Sequence, residues 1–240
     1  MVDLNSVFDA GPEDRLSRVL ERGGVVKIDG LREPEHAAVA ASAGADLLGF
    51  VFAPARRRVT AETARSCIEA AREAVTNRDF FSVGVFVDAS ADEIAVIVRD
   101  AGLDAVQLHG NESPELLSQL DVPAIKVFRP QPGMTAEEVL ADLDRYRNSA
   151  VPAAGVLIDG YSEHAAGGAG IRADWKLAAA IGAMHGILLG GGLQPDNVGE
   201  AIRCVRPIGV DVSSGVERDG VKDPARIEAF IRAAREAFQS

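Results

Sequence analysis

Short apolar runs rich in β-branched residues alternate with longer stretches of helical periodicity along most of the chain. VVKID, LLGFVF, FSVGVFV, AVQLH, AIKVF, GVLID, GILLG and IGVDV read as strands. They are apolar nearly throughout, the pattern of parallel strands covered on both faces. Amphipathic stretches follow each of them, beginning near Glu33, Ala61, Ala91, Ser113, Thr135, Asp174, Pro195 and Asp223. Ser113-Pro114-Glu115, Thr135-Ala136-Glu137-Glu138 and Gln194-Pro195-Asp196 carry the polar, proline and acidic residues that open helices. Eight such units predict an α/β fold, a single (β/α)8 TIM barrel over residues 25–240. An open doubly wound sheet fits less well, because the count is eight and no GxGxxG follows the first strand. Residues 1–24 stand outside the pattern as a short N-terminal extension. Within it, EDRLSRVLERG has amphipathic spacing suited to cover the lower face of the barrel.

Composition narrows the function classes. At 240 residues and 47% hydrophobic content the chain has ample material for a large core. It has no run of eighteen apolar residues, and its acidic N-terminus lacks the basic and apolar regions of a signal peptide, so a cytoplasmic location is expected. A formal charge of −11 argues against nucleic acid and anionic membranes as partners. Cys67 and Cys204 lack paired spacing, which points to no disulfide framework and no metal site; both are expected to be packing residues, buried or half-buried.

In this architecture chemistry gathers at the C-terminal ends of the strands. Strand one ends in Asp29-Gly30, strand four in Gln107-Leu108-His109-Gly110 and strand six in Asp159-Gly160. Asp29 and Asp159, on strands far apart around the ring, suit an acid and a base acting on opposite sides of one substrate. Either alone reads equally well as a loop-ordering aspartate. His109 fits a ligand contact or plain packing. Strand seven ends in Gly190-Gly191-Gly192 and strand eight in Asp211-Val212-Ser213-Ser214-Gly215, turns that expose backbone amides to a phosphate or simply permit tight βα connections. Among Arg56, Arg57 and Arg58, one arginine beside a strand end is placed to grip a carboxylate; a charge run is otherwise a solvated face.

Several ordered motifs carry a resemblance. KIDGLREPEHAAVAASAGADLLGFVF, VGVFVDAS, LDAVQLHGNESPEL, LLGGGLQPDNVGEAIRCVRP and GVDVSSGVERDGVKD resemble the phosphoribosylanthranilate isomerase family from about Val25 to the C-terminus. The resemblance implies a barrel that converts N-(5'-phosphoribosyl)anthranilate to 1-(2-carboxyphenylamino)-1-deoxyribulose 5-phosphate. This is an Amadori rearrangement of tryptophan biosynthesis that needs no cofactor and no metal. It implies Asp159 as the general acid that opens the furanose, and Arg58 as the residue that holds the anthranilate carboxylate. Amides around Gly191, Gly192, Ser213, Ser214 and Gly215 would take the phosphate, and Gln107, His109 and Asp211 would line the substrate. The partner is then a small phosphosugar, bound by a monomer or a homodimer.

Three departures from that family stand out. Where it usually reads Lys-Ile-Cys-Gly, with the cysteine as general base, this chain has Lys27-Ile28-Asp29-Gly30. An aspartate ends strand one in the related isomerases of histidine biosynthesis too, so Asp29 reads as a changed base. A free carboxyl titrates near ~3.9, and burial beside an apolar strand is expected to raise that value. Gly167-Gly168-Ala169-Gly170-Ile171 lacks a hydroxyl and a cation usual after strand six, and Arg56 stands where a serine is usual. Three readings follow: this isomerase, the same rearrangement of another phosphoribosylamine in specialised metabolism, or a phosphosugar-binding barrel without turnover.

Overall fold

The computed structural model describes residues 12–76, 79–160 and 173–240. Eight parallel strands close into one barrel in sequence order: β1 (Val25–Ile28), β2 (Leu47–Val51), β3 (Phe81–Phe86), β4 (Ala105–Leu108), β5 (Ala124–Phe128), β6 (Gly155–Ile158), β7 (Leu188–Leu189) and β8 (Gly209–Val212). Ahead of them lies α1 (Pro12–Arg22). Outside them lie α2 (Pro34–Ala43), α3 (Ala61–Ala74), α4 (Ala91–Ala101), α5 (Ala136–Arg147), α6 (Trp175–Gly182), α7 (Val198–Val205) and α8 (Pro224–Phe238). A two-stranded ribbon, β9 (Glu217–Arg218) and β10 (Val221–Lys222), follows β8. The fold is therefore the expected barrel. Reciprocal capping boxes, Ser90 with Glu93 and Thr135 with Glu138, start α4 and α5 by satisfying amides that a helix end leaves open.

Two elements differ from the sequence reading. Between β4 and β5 the chain forms a 3-10 turn, Pro114–Gln119, in place of an α-helix. The connection is short, and Pro123 before β5 forces its predecessor out of helical geometry. The helix expected from Pro195 starts only at Val198, because Asn197 accepts from the Gln194 amide and donates to the Gly192 carbonyl. Cys67 is buried as expected, but Cys204 is exposed on the outer side of α7.

Strand alternation divides the apolar residues into two clusters. Val26, Ile28, Leu48, Phe50, Val210 and Val212 pack outward under the helices. Val25, Leu47, Phe81, Val83, Ala105, Ile125, Leu157 and Leu188 pack inward and fill the lower barrel. Leu16 and Leu20 of α1 join that inner cluster and close its floor, so this stretch of the extension belongs to the core. The mouth is thereby left as the place where polar groups enter the barrel. Leu16→Ala should cost about 2–5 kcal/mol in denaturant unfolding, the usual range for an emptied core site, without altering the site at the opposite end. A stability unchanged within error would show that α1 is not part of the core.

Candidate active site

Inward positions on β1, β2 and β8 build one side of the mouth. Val25, Lys27 and Asp29 share the inner face of β1, and Lys27 is the direct register partner of Asp211 on β8 and Leu47 on β2. Lys27 is fully buried, and its Nζ lies 3.0 Å from Asp29 Oδ1 and 2.9 Å from Asp211 Oδ1. Gly49 of β2 makes room for this group: a Cβ there would overlap Asp29 Oδ1 and lie 3.1 Å from Lys27 Nζ. Ser213 Oγ donates to the Asp29 carbonyl at 3.2 Å, tying the loop after β8 to the end of β1.

The charges in this group oppose the expectation for Asp29. Burial does push its carboxyl up, but the Lys27 ammonium more than offsets that, and the carboxyl lies below its ordinary value. Asp211 takes the other share: burial and the neighbouring Asp29 carboxylate raise it to about 6 despite Lys27. Lys27 itself, although burial works against its charge, is held above its ordinary value by the two carboxylates. Asp29 is thus an ionised acceptor placed at the mouth.

The far side of the mouth carries Asp159, Gln107 and His109, all buried. His109 Nε2 lies 3.4 Å from Asp159 Oδ2, and its Nδ1 lies 3.1 Å from Gln107 Nε2. Asp159 Oδ1 accepts from the Gly160 amide at 2.8 Å, which fixes one end of the carboxylate and leaves Oδ2 to the His109 contact. Lys126 stands behind this loop, donating to the carbonyls of Leu108 and Gly110 and pairing with Glu112 at 2.8 Å. Asp29 Oδ1 keeps its ion pair but accepts no well-directed hydrogen bond; Gln107 Oε1 and His109 Nε2 likewise lack a hydrogen-bond partner among the described residues. Buried polar atoms are normally satisfied. Three such atoms around one opening mark the place where a polar ligand completes the bonding.

The arginine run divides between inside and outside. Arg57 is buried, its stem pressed against Gly30, and its Nε and Nη2 grip Glu217 at 2.6 and 3.0 Å. Arg56 reaches the same carboxylate at 2.7 Å, and Lys222 at 3.2 Å. Burial would raise the Glu217 carboxyl, yet Arg57 and Lys222 hold it down at about 2. Lys222, which also donates to the Ser213 carbonyl, is pulled by burial to about 8. Arg58 is exposed and lines an outer groove with Thr60, Thr63 and Ile97. Its backbone bridges to Val51, and the Val59 amide donates to the Val51 carbonyl, while Arg57 precedes the bridge in a turn closed by the Arg58 amide on the Ala55 carbonyl. Arg57 is thus buried with its donors on Glu217, and Arg58 stands exposed beside the end of β2.

Gly191 and Gly192 after β7, and Ser213, Ser214 and Gly215 after β8, lie half-buried beside each other at the mouth. Gly191 and Gly192 have φ of +83° and +63°, values that side chains disfavour, and a Cβ on Gly191 would come 2.5 Å from the Gly160 nitrogen. Among the described residues no backbone hydrogen bond takes up the amides of Gly192, Ser214 or Gly215. Gly167, Gly168, Ala169, Gly170 and Ile171 lie outside the described residues. The described residues hold no His, Cys, Asp and Glu grouping suited to a metal ion, and no described helix is long and apolar enough to cross a membrane.

A closed barrel with two buried carboxylates at the ends of β1 and β6, and amides without backbone partners in its last two loops, has the form of a (β/α)8 enzyme site. The family described as N-(5'-phosphoribosyl)anthranilate isomerase matches residues 26–233. A protein of that name from Symbiobacterium thermophilum is 45% identical over 230 residues, covering 88% of this chain and 97% of its own. One from Roseiflexus castenholzii is 42% identical over 218 residues, covering 89% and 99%. The crystal structure of the Thermotoga maritima phosphoribosylanthranilate isomerase superposes with a TM-score of 0.74 at 32% identity, covering 88% of this chain and 98% of that one. Another solved structure of such an isomerase holds reduced 1-(o-carboxyphenylamino)-1-deoxyribulose 5-phosphate, at a TM-score of 0.71 and 32% identity. The chain belongs to the phosphoribosylanthranilate isomerase family, a family of aldose–ketose isomerases.

Strand-end reasoning located Asp29, Gln107, His109, Asp159 and Asp211, and the structure gathers all five. It passed over Lys27, Gly49, Glu217 and Lys222. The signal for Lys27 was present: a lysine at an inward position of an apolar strand, two residues before an aspartate. Gly49→Ala should lower stability by about 1–3 kcal/mol through overpacking, and adding Asp29→Ala should restore part of that loss. Thermal melts of the single and double variants check this; an unaffected single variant would refute the close approach of Gly49 to Asp29.

Proposed function

We propose that this protein isomerises N-(5'-phosphoribosyl)anthranilate to 1-(2-carboxyphenylamino)-1-deoxyribulose 5-phosphate, with Asp159 as general acid and Asp29 as general base. The observation that carries the reading is the pair itself: two buried carboxylates at the ends of β1 and β6, each fixed by its own partners, in a chain of this family. Asp159 gives a proton to the furanose oxygen, and the C1'–O bond breaks as the nitrogen lone pair forms the Schiff base. Asp29 then removes the C2' proton, and the C2'–H electrons form the C1'=C2' bond while the C=N pair returns to nitrogen. The resulting enolamine tautomerises to the aminoketone. The ring nitrogen of His109, 3.4 Å from Asp159, orients the acid and stays within reach of a substrate hydroxyl.

The remaining contacts suit the two ends of that substrate. Open amides of Gly191, Gly192, Ser213, Ser214 and Gly215 would receive the phosphate, a favourable charge match at a place where the chain's overall field is negative. Arg58 is the arginine assigned to the anthranilate carboxylate: it stands exposed beside the end of β2, whereas the paired donors of Arg57 are taken up by Glu217. Gln107 and Asp211 line the space between.

The assay follows anthranilate-adduct fluorescence in substrate generated in situ, against the spontaneous decay. Rapid loss of signal with the purified protein is expected; no loss above background from folded protein would contradict the reading and favour another phosphoribosylamine. Asp159→Asn should reduce turnover by ~10²-fold or more while retaining affinity for a phosphorylated product analogue. Full activity in that variant would remove Asp159 from the mechanism. Arg58→Ala should raise KM by ~10-fold or more, as loss of a charged hydrogen-bonded pair implies. An unchanged KM in that variant would take the carboxylate away from Arg58.

A further inference from the structure

Lys27 is the most completely buried charge at the mouth, and the reaction steps above make no use of it. A lysine interior to an apolar barrel needs compensation, and one carboxylate suffices for charge balance. Here there are two, Asp29 and Asp211, on the strands to which Lys27 belongs and pairs, at nearly equal distances from one ammonium. The other charged groups that face them are Lys222 from the ribbon after β8, His109 from β4 and Asp159 from β6, while β2 presents only Gly49. The group Asp29–Lys27–Asp211 thus carries one net negative charge when all three are ionised.

Resting on the assignment of Asp29 as the base, we propose that Lys27 is a positioning residue that holds the Asp29 carboxylate ionised and aimed at C2', and that Asp211 is the standing counter-ion that retains the ammonium once Asp29 is neutral. When Asp29 takes the proton, its charge is lost and the group goes from net −1 to neutral. Lys27 keeps a charged partner through that step because Asp211 remains. Without Asp211 the ammonium would bear on Asp29 alone and oppose the proton transfer. With Lys27 replaced by an apolar side chain, two carboxylates would face each other in a buried place, and one would hold a proton near neutral pH.

The two halves of the proposal shift opposite observables. Titration of the Asp29 side-chain carbon by NMR, in protein labelled at aspartate and assigned against Asp29→Asn, reads the base independently of turnover. In the unmodified protein Asp29 should stay ionised throughout the folded range above pH ~4. Lys27→Met should raise its midpoint by about 1–3 pH units, and the acidic limb of kcat/KM should move with it. Asp211→Asn should leave Asp29 ionised but lower kcat by ~10-fold or more with little change in KM, because the base is then held too firmly by Lys27. An Asp29 that titrates at or above an ordinary carboxyl in the unmodified protein would overturn the role of Lys27 even if Lys27→Met does not fold. Unchanged kcat in Asp211→Asn would overturn the counter-ion. Absence of isomerase activity in the unmodified protein would refute the proposed reaction, and the titration would still decide what Lys27 does to Asp29.

Discussion

A lysine ammonium buried among three strand ends is the constraint around which this mouth is built. Lys27 has no exposure, so its charge is tolerable only because Asp29 and Asp211 stand within 3.0 Å of it. That requirement fixes two carboxylates on the inner faces of β1 and β8, and their closeness demands a glycine opposite, at Gly49. It also bears on the charge of the proposed base. An aspartate buried without a cation would drift toward its neutral form, whereas beside Lys27 it remains an anion.

A second ionic knot stands beside the first. Glu217 gathers Arg56, Arg57 and Lys222, and Lys222 reaches back to the Ser213 carbonyl in the loop proposed to receive the phosphate. One carboxylate therefore fixes the arginine at one end of the site and helps shape the loop at the other. In a chain of net charge −11 this is a concentrated positive region, placed where a phosphorylated, carboxylated ligand would need it. The Lys126–Glu112 pair does comparable work behind His109, fastening the β4 loop through carbonyls on both sides of that residue.

Much of this was legible in the sequence, and the reasons differ from residue to residue. The barrel followed from eight apolar runs, since a parallel strand buried on both faces has little freedom in composition. Asp29, Asp159 and Asp211 were legible because strand ends in a barrel point to one place. Which of the three arginines is buried was not: three identical residues carry no internal contrast, and it is the pairing with Glu217 that holds Arg57 inside. The direction of the Asp29 shift was also missed. Burial alone argues upward, and only the closed barrel brings Lys27 Nζ close enough to reverse it. The short 3-10 turn after β4 shows the same limit, where room between two strands overrode a sound helix start.

The central claim is that Asp29 has become the proton acceptor opposite Asp159. A crystal structure of this protein with reduced 1-(o-carboxyphenylamino)-1-deoxyribulose 5-phosphate tests it most directly. With Asp29 as proton acceptor, an Asp29 oxygen is expected about 3–3.5 Å from C2', the spacing of a near-attack geometry, with Asp159 beside the former ring oxygen and Arg58 on the carboxylate. A ligand whose C2' faces away from Asp29, or whose carboxylate lies away from Arg58, would contradict it.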